Sequence, residues 1–161
     1  MTLMPNSTSF ATIFSTIEEE LDLFSALHEI LEKQQKHILS RDGRSLSTAA
    51  ETITQLLEEA RQFRIKRSDH LKKAGFDNSP TGMTEFFQRQ GSAVNQKDWQ
   101  ELVELVEQCK ALNLKNGETL RIQREHTDKQ LRRFANRQQK TSYSASGQSV
   151  VKSEPTLRVM A

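Results

Sequence analysis

Residues 99–140 read WQELVELVEQCKALNLKNGETLRIQREHTDKQLRRFANRQQK, and this stretch decides the fold class. It contains no proline. Apolar residues fall at Trp99, Leu102, Val103, Val106, Cys109, Leu112 and Leu120, then at Leu131 and Phe134. Steps of three and four residues are the steps of an amphipathic helix. Unbroken, that helix would be about 60 Å long. Two features are unusual for it. Asn113 and Asn116 share the seam of Trp99, Val106 and Leu120, where apolar side chains belong. Gly117 follows in a helix interior, where Gly costs about 1 kcal/mol relative to Ala. Something other than helix propensity has set LNLKNG.

Composition points the same way. The chain has 161 residues, which suits one domain. It is 35% hydrophobic and 27% charged, enough to bury seams between helices but not a thick core. Proline occurs only at 5, 80 and 155, and glycine is scarce, which argues for long helices against a β fold. Cys109 is the single cysteine, so no intramolecular disulfide framework exists, and it reads as a small core residue. No apolar run approaches the roughly 18 residues that would span a membrane. The N-terminus MTLMPNSTSF has no basic n-region, so a cytoplasmic protein without a signal peptide is expected.

Outward from the long stretch, the rest falls into further helices. Ser7, Thr8 or Ser9 can cap a first helix beginning near Phe10. It carries a seven-residue repeat, Phe10, Ile17, Phe24, Leu31 and Ile38, with Ile13, Phe14, Leu21 and Leu27 as companions. The seam turns polar at Gln34 and Gln35, where looser packing is expected. Glu18, Glu19, Glu20 and Asp22 read as a solvated face. Ser40-Arg-Asp-Gly43 breaks the pattern, with Gly43 suited to a left-handed turn. A second helix follows on Leu46, Ala49, Ile53, Leu56, Ala60 and Phe63, broadened by Leu57, and fades at Ala74-Gly75-Phe76. A loop this short between long helices implies an antiparallel hairpin. Residues 76–82 form a connector of turn residues, and Met83–Gln90 a short helix with Met83, Phe86 and Phe87 as an apolar knob. Asn95 can cap the long helix, and Trp99 anchors that end of the bundle.

The fold class expected is therefore all-α: an elongated antiparallel helical hairpin plus a long third helix (a three-helix bundle), with a short connecting helix. The bundle domain is placed at 1–140. Residues 141–161, rich in Ser, Thr and Gly, are read as a disordered C-terminal tail.

Catalytic and cofactor chemistry find no support. His28, His37, His70 and His126 include no pair at ligand spacing, and no phosphate-loop, nucleophile-elbow or zinc-protease motif occurs. We expect no metal, no cofactor and no enzymatic activity. From Arg121 to Lys140 there are seven Lys or Arg against two acidic residues. Such a helix end can face solvent, an acidic protein or nucleic acid. Nucleic acid is disfavoured, because Phe134 is the only aromatic there and the net charge of the whole chain is only +2.

The third helix, Trp99-x-x-Leu102 followed by Leu112-Asn113-x-x-Asn116-Gly117, resembles the FlgN-type flagellar export chaperones, whose pattern is L-N-x-x-N-G. Arg41-Asp42, Leu56-Leu57, Arg61, Arg64 and Ala74-Gly75-Phe76 agree with it, and Tyr143-Ser-Ala-Ser-Gly147 is similar to the family's Y-x-x-x-G. Thr52 departs from a frequent Lys, and residues 148–161 match no part of the pattern. The resemblance implies a cytoplasmic, non-enzymatic chaperone of flagellar type III secretion. Its partners would be the terminal helices of the hook–filament junction proteins FlgK and FlgL, and the export gate protein FlhA.

On that reading the cargo-binding residues are Asn113, Asn116, Gly117, Leu120, Leu131 and Phe134, and Tyr143 docks on the gate. Two alternatives stay open at single positions. The Asn pair can be a buried polar layer that fixes helix register, and Tyr143 can be a passive tail residue. A structural coiled-coil adaptor, or an RNA-binding helical protein, is the competing class.

Overall fold

A computed structural model of the chain describes the backbone of residues 7–144 and the side chains of residues 10–139. Every regular element among them is helical. The helices are α1 (Ser7–Ser40), α2 (Gly43–Lys73), α3 (Pro80–Gln90) and α4 (Ala93–Ser144). None of them is long and apolar enough to cross a membrane.

Local chemistry sets the boundaries. α1 ends on a left-handed residue, but it is Arg41 (φ 57°) and not the expected Gly43. The Arg41 amide donates to the Ile38 carbonyl and the Asp42 amide to the His37 carbonyl, the paired bonds of a Schellman end. Gly43 is instead the first residue of α2. Asp42 must cap that helix, so the turn closes two residues earlier. Its carboxylate accepts from the Ser45 amide (3.1 Å) and the Ser45 hydroxyl (2.6 Å), bonds that hold its pKa below the ordinary value. α2 fades where expected, on a second Schellman end. Gly75 takes φ 86°, and the Gly75 and Phe76 amides donate to the Lys72 and Leu71 carbonyls.

α3 starts three residues earlier than its apolar knob suggests. Ser79 caps it by accepting from the Gly82 amide (3.0 Å), and Pro80 fills the first helical position, where its missing N–H is not needed. Ser92, and not Asn95, caps α4. The Asn95 amide donates to Ser92 Oγ (3.3 Å), while Asn95 Oδ1 accepts from the Ser92 amide (3.2 Å) and hydroxyl (2.7 Å). α4 continues as helix through Gly117, and to Ser144, four residues past the expected end.

The chain divides into two compact units, residues 1–120 and residues 121–161. In the first, α2 runs back along α1: Ile53 belongs to one cluster with Leu27 and Leu31, while Leu71 belongs to another with Ile13 and Ile17. α4 runs parallel to α1. The Cys109 thiol lies 3.5 Å from the Phe24 carbonyl, and Asn116 Nδ2 donates to the Leu31 carbonyl at 2.9 Å. Both pairs are 85 residues apart, so one heptad on α1 meets one heptad on α4 in constant register. α3 closes one end. Phe86 is fully buried, with its ring centroid 5.3–5.6 Å from those of Phe10, Phe14, Phe76 and Phe87. Trp99 stacks on Phe87 at 6.0 Å. The second unit comprises the last part of α4. Of its described side chains, Gln123 alone is half-buried and the rest are exposed.

Candidate protein-binding surfaces

The seam asparagines part company in the structure. Asn113 is exposed, but Asn116 is only 1% exposed. Asn116 Nδ2 donates to the Leu31 carbonyl and to Gln34 Oε1 (3.0 Å), and its buried Oδ1 has no protein partner among the described residues. The polar interruptions at Gln34 on α1 and Asn116 on α4 therefore meet as a single layer. Gly117 is exposed, and a Cβ built there would touch nothing within 4 Å. Leu120 is half-buried.

In the second unit Leu131 and Phe134, one helical turn apart, are each 62% exposed. Phe134 lines a small cleft of about 200 Å³ with Gln130, Arg133 and Arg137. Arg121 pairs with Glu125 at 2.6 Å. Tyr143 lies in the last turn of α4, and its side chain is outside the described residues, as are residues 145–161 of the expected tail.

Sequence reasoning missed a larger feature. A groove of about 1120 Å³ runs between α2 and α4, with α1 as its floor. Phe24, Leu27 and Leu31 floor it; Leu57 and Ile65 stand on the α2 wall, Val103 and Val106 on the α4 wall. The helical period of α2 was visible, and so was Leu57 as an extension of its apolar face. That this extension stays uncovered depends on how far apart α2 and α4 sit on α1, which periodicity does not encode.

Glu20 was also misread. It is no part of a solvated acidic face: it is 3% exposed and ion-paired with Arg67 of α2. Burial raises its pKa, against the lowering effects of the Arg67 charge and hydrogen bond. The guanidinium in turn sits 5.0 Å from the Trp99 ring centroid, so one cation ties α1, α2 and α4 together. Cys109 is buried and its thiol pKa is raised by desolvation, which makes it a packing residue and a poor nucleophile.

These surfaces hold exposed aliphatic and aromatic groups beside cations, which suits binding of another protein's helix. Among the described residues no group of three or more His, Cys, Asp or Glu converges to hold a metal ion. No curated protein and no solved structure matches the chain. The family model described as FlgN protein matches residues 1–150, nearly the whole length. With L-N-x-x-N-G carried on α4, the chain belongs to the FlgN family.

Proposed function

We propose that the protein is a cytoplasmic chaperone of flagellar type III secretion. It holds hook–filament junction proteins of the FlgK and FlgL kind by their terminal helices and delivers them to the export gate protein FlhA. Family membership supports the chaperone class. The observation that carries the binding mode is the exposed pair Leu131 and Phe134, one turn apart on a helix. Secreted subunits held before assembly need their amphipathic terminal helices covered. Docking such a helix buries apolar area worth about 25 cal/mol per Å², less the ordering cost.

In this reading Leu131 and Phe134 are the cargo anchor of the second unit. In the first unit Asn113, Gly117 and Leu120 are the cargo contacts, with Asn116 fixing the register of α4 beneath them. Gly117, with open space over its Cα, is where a cargo backbone approaches closely.

The test is the double variant Leu131→Ser/Phe134→Ser, titrated calorimetrically with a junction-protein terminal helix. Binding should weaken at least tenfold, about 1.4 kcal/mol. Thermal stability should stay put, because both side chains are exposed and such substitutions lie within about 0.5 kcal/mol. Unchanged affinity would remove Leu131 and Phe134 from the cargo site. A chain that binds no junction-protein helix in any form would leave the adaptor reading in place of the chaperone.

A further inference from the structure

The lining of the groove between α2 and α4 includes neither Leu131 nor Phe134, meets the proposed cargo contacts only at Asn113, and carries its own chemistry. We infer that it is a second helix-docking site, whose occupant is an amphipathic helix of a partner protein with carboxylates beside its apolar stripe.

Three observations fix that occupant. The first is length. The lining on α2 runs from Ile53 to Lys72 and on α4 from Trp99 to Asn113. At the helical rise these walls are about 28 Å and 21 Å long, which accommodates four to five turns of a partner helix. The second is apolar exposure inside the groove. Leu57 (47%), Ile65 (41%) and Val103 (42%) are large hydrophobic side chains left open on its walls, while the small Ala60 sits between them on α2 and admits close approach. Leu57 and Ile65 are eight residues apart, so they present aliphatic side chains to the groove a little over two turns apart on the α2 wall.

The third is charge. The lining holds five Arg or Lys against three Asp or Glu. Glu20 is consumed by Arg67, Glu107 by Lys110 at 2.6 Å, and Arg61 by Glu58 at 3.0 Å. The third acid, Asp69, has no such pair among the described residues, and neither have two cations, Arg64 and Lys72. They too are eight residues apart on α2, on the rim beside Leu57 and Ile65. A partner helix whose apolar side chains fill the groove therefore meets two cations about 12 Å apart along its flank. Carboxylates seven or eight residues apart on that flank match them, and lysines there would be repelled. The surface selects sign and spacing as well as hydrophobicity.

The probe is an 18-residue helical peptide with Leu at alternating three- and four-residue steps and two Glu seven residues apart beside the stripe. Its counterpart carries Lys at those two positions. Binding of each to the full chain is read by fluorescence anisotropy at low and moderate salt. The Glu peptide should bind at least tenfold more tightly than the Lys peptide, and the gap should narrow with salt. Leu57→Asp/Ile65→Asp should weaken the Glu peptide at least tenfold with an unchanged melting temperature, because both side chains are already half open. Arg64→Glu/Lys72→Glu keeps the apolar groove intact and should reverse the preference between the peptides. Leu131→Ser/Phe134→Ser should change neither affinity.

Equal binding of the two peptides, or no binding of either, overturns the inference. So does a loss of binding in the Leu131/Phe134 variant, which would place the peptide on the second unit. Only that last outcome bears on Leu131 and Phe134, and it favours them as a helix site while overturning the groove, so the two readings fail separately.

Discussion

Glu20 and Arg67 show what one residue pair does in a molecule with little core. A carboxylate buried among helices is costly, and Arg67 offsets that cost by charge and by hydrogen bond. Arg67→Met keeps an apolar stem but removes the guanidinium from Trp99 and leaves Glu20 alone, and should cost about 3–5 kcal/mol at neutral pH. The pH dependence has a definite sign. The folded pKa of Glu20 is already raised by burial, so the folded chain holds the proton more tightly than the unfolded one. Stability from this group therefore falls as pH rises through the folded pKa and recovers as pH falls through it. Removing Arg67 removes the lowering influences and pushes that pKa up further. The penalty of Arg67→Met should accordingly shrink between pH 7 and pH 5, as read from urea unfolding at each pH. An equal penalty at both would mean that the cost lies in packing and not in the uncompensated carboxylate. None of this was legible in the sequence. Glu20 stands among Glu18, Glu19 and Asp22, and four neighbouring acids look alike until a partner 47 residues away is placed beside one of them.

At the scale of elements, the heptads on α1 and the seam on α4 were legible because burial on one face imposes a period. The polar positions were legible as anomalies, but not as a pair. Gln34 looked like loose packing, and Asn116 like either a register-fixing polar layer or a cargo contact; the bond from Asn116 to Gln34, 82 residues away, makes the two one hydrogen-bonded layer. Helix starts were less legible, since Ser92 and Asn95 are both good caps and only their reciprocal bonds decide. The adjacent residues Asn116 and Gly117 make a contrasting test. Asn116→Ala strips the donor from the buried layer and should cost about 1–3 kcal/mol. Gly117→Ala places a methyl in open space within a helix and should stabilise by about 0.5–1 kcal/mol. Urea midpoints read both. If Gly117→Ala stabilises the chain yet weakens binding of a junction-protein helix, the glycine is kept for close approach. If it destabilises, helix propensity does not govern this position.

At the scale of the whole molecule, the proposed function divides between holding a cargo and handing it on, and the two must be separable if the chaperone is to release. In that proposal Leu131, Phe134 and the contacts from Asn113 to Leu120 belong to holding. We assign handing on to Tyr143, the only tyrosine of the chain. Its backbone belongs to the final turn of α4, which gives a docking side chain a helical base, and Ser144 is the last residue of that helix. An aromatic ring with a hydroxyl suits an anchor, the ring filling a pocket and the hydroxyl meeting a polar partner. The serines around it and Gly147 add no competing bulk. Tyr143→Ala should therefore leave the affinity for a junction-protein helix unchanged. It should lower the affinity of the cargo-loaded complex for the cytoplasmic domain of FlhA at least tenfold, about 1.4 kcal/mol. Both affinities are measured by calorimetry on the same preparation, so that misfolding would show as a loss of both. Survival of both makes Tyr143 a passenger at the end of α4. Loss of cargo binding alone moves Tyr143 into the cargo site, and the division between holding and handing on would then have to be drawn elsewhere on the chain.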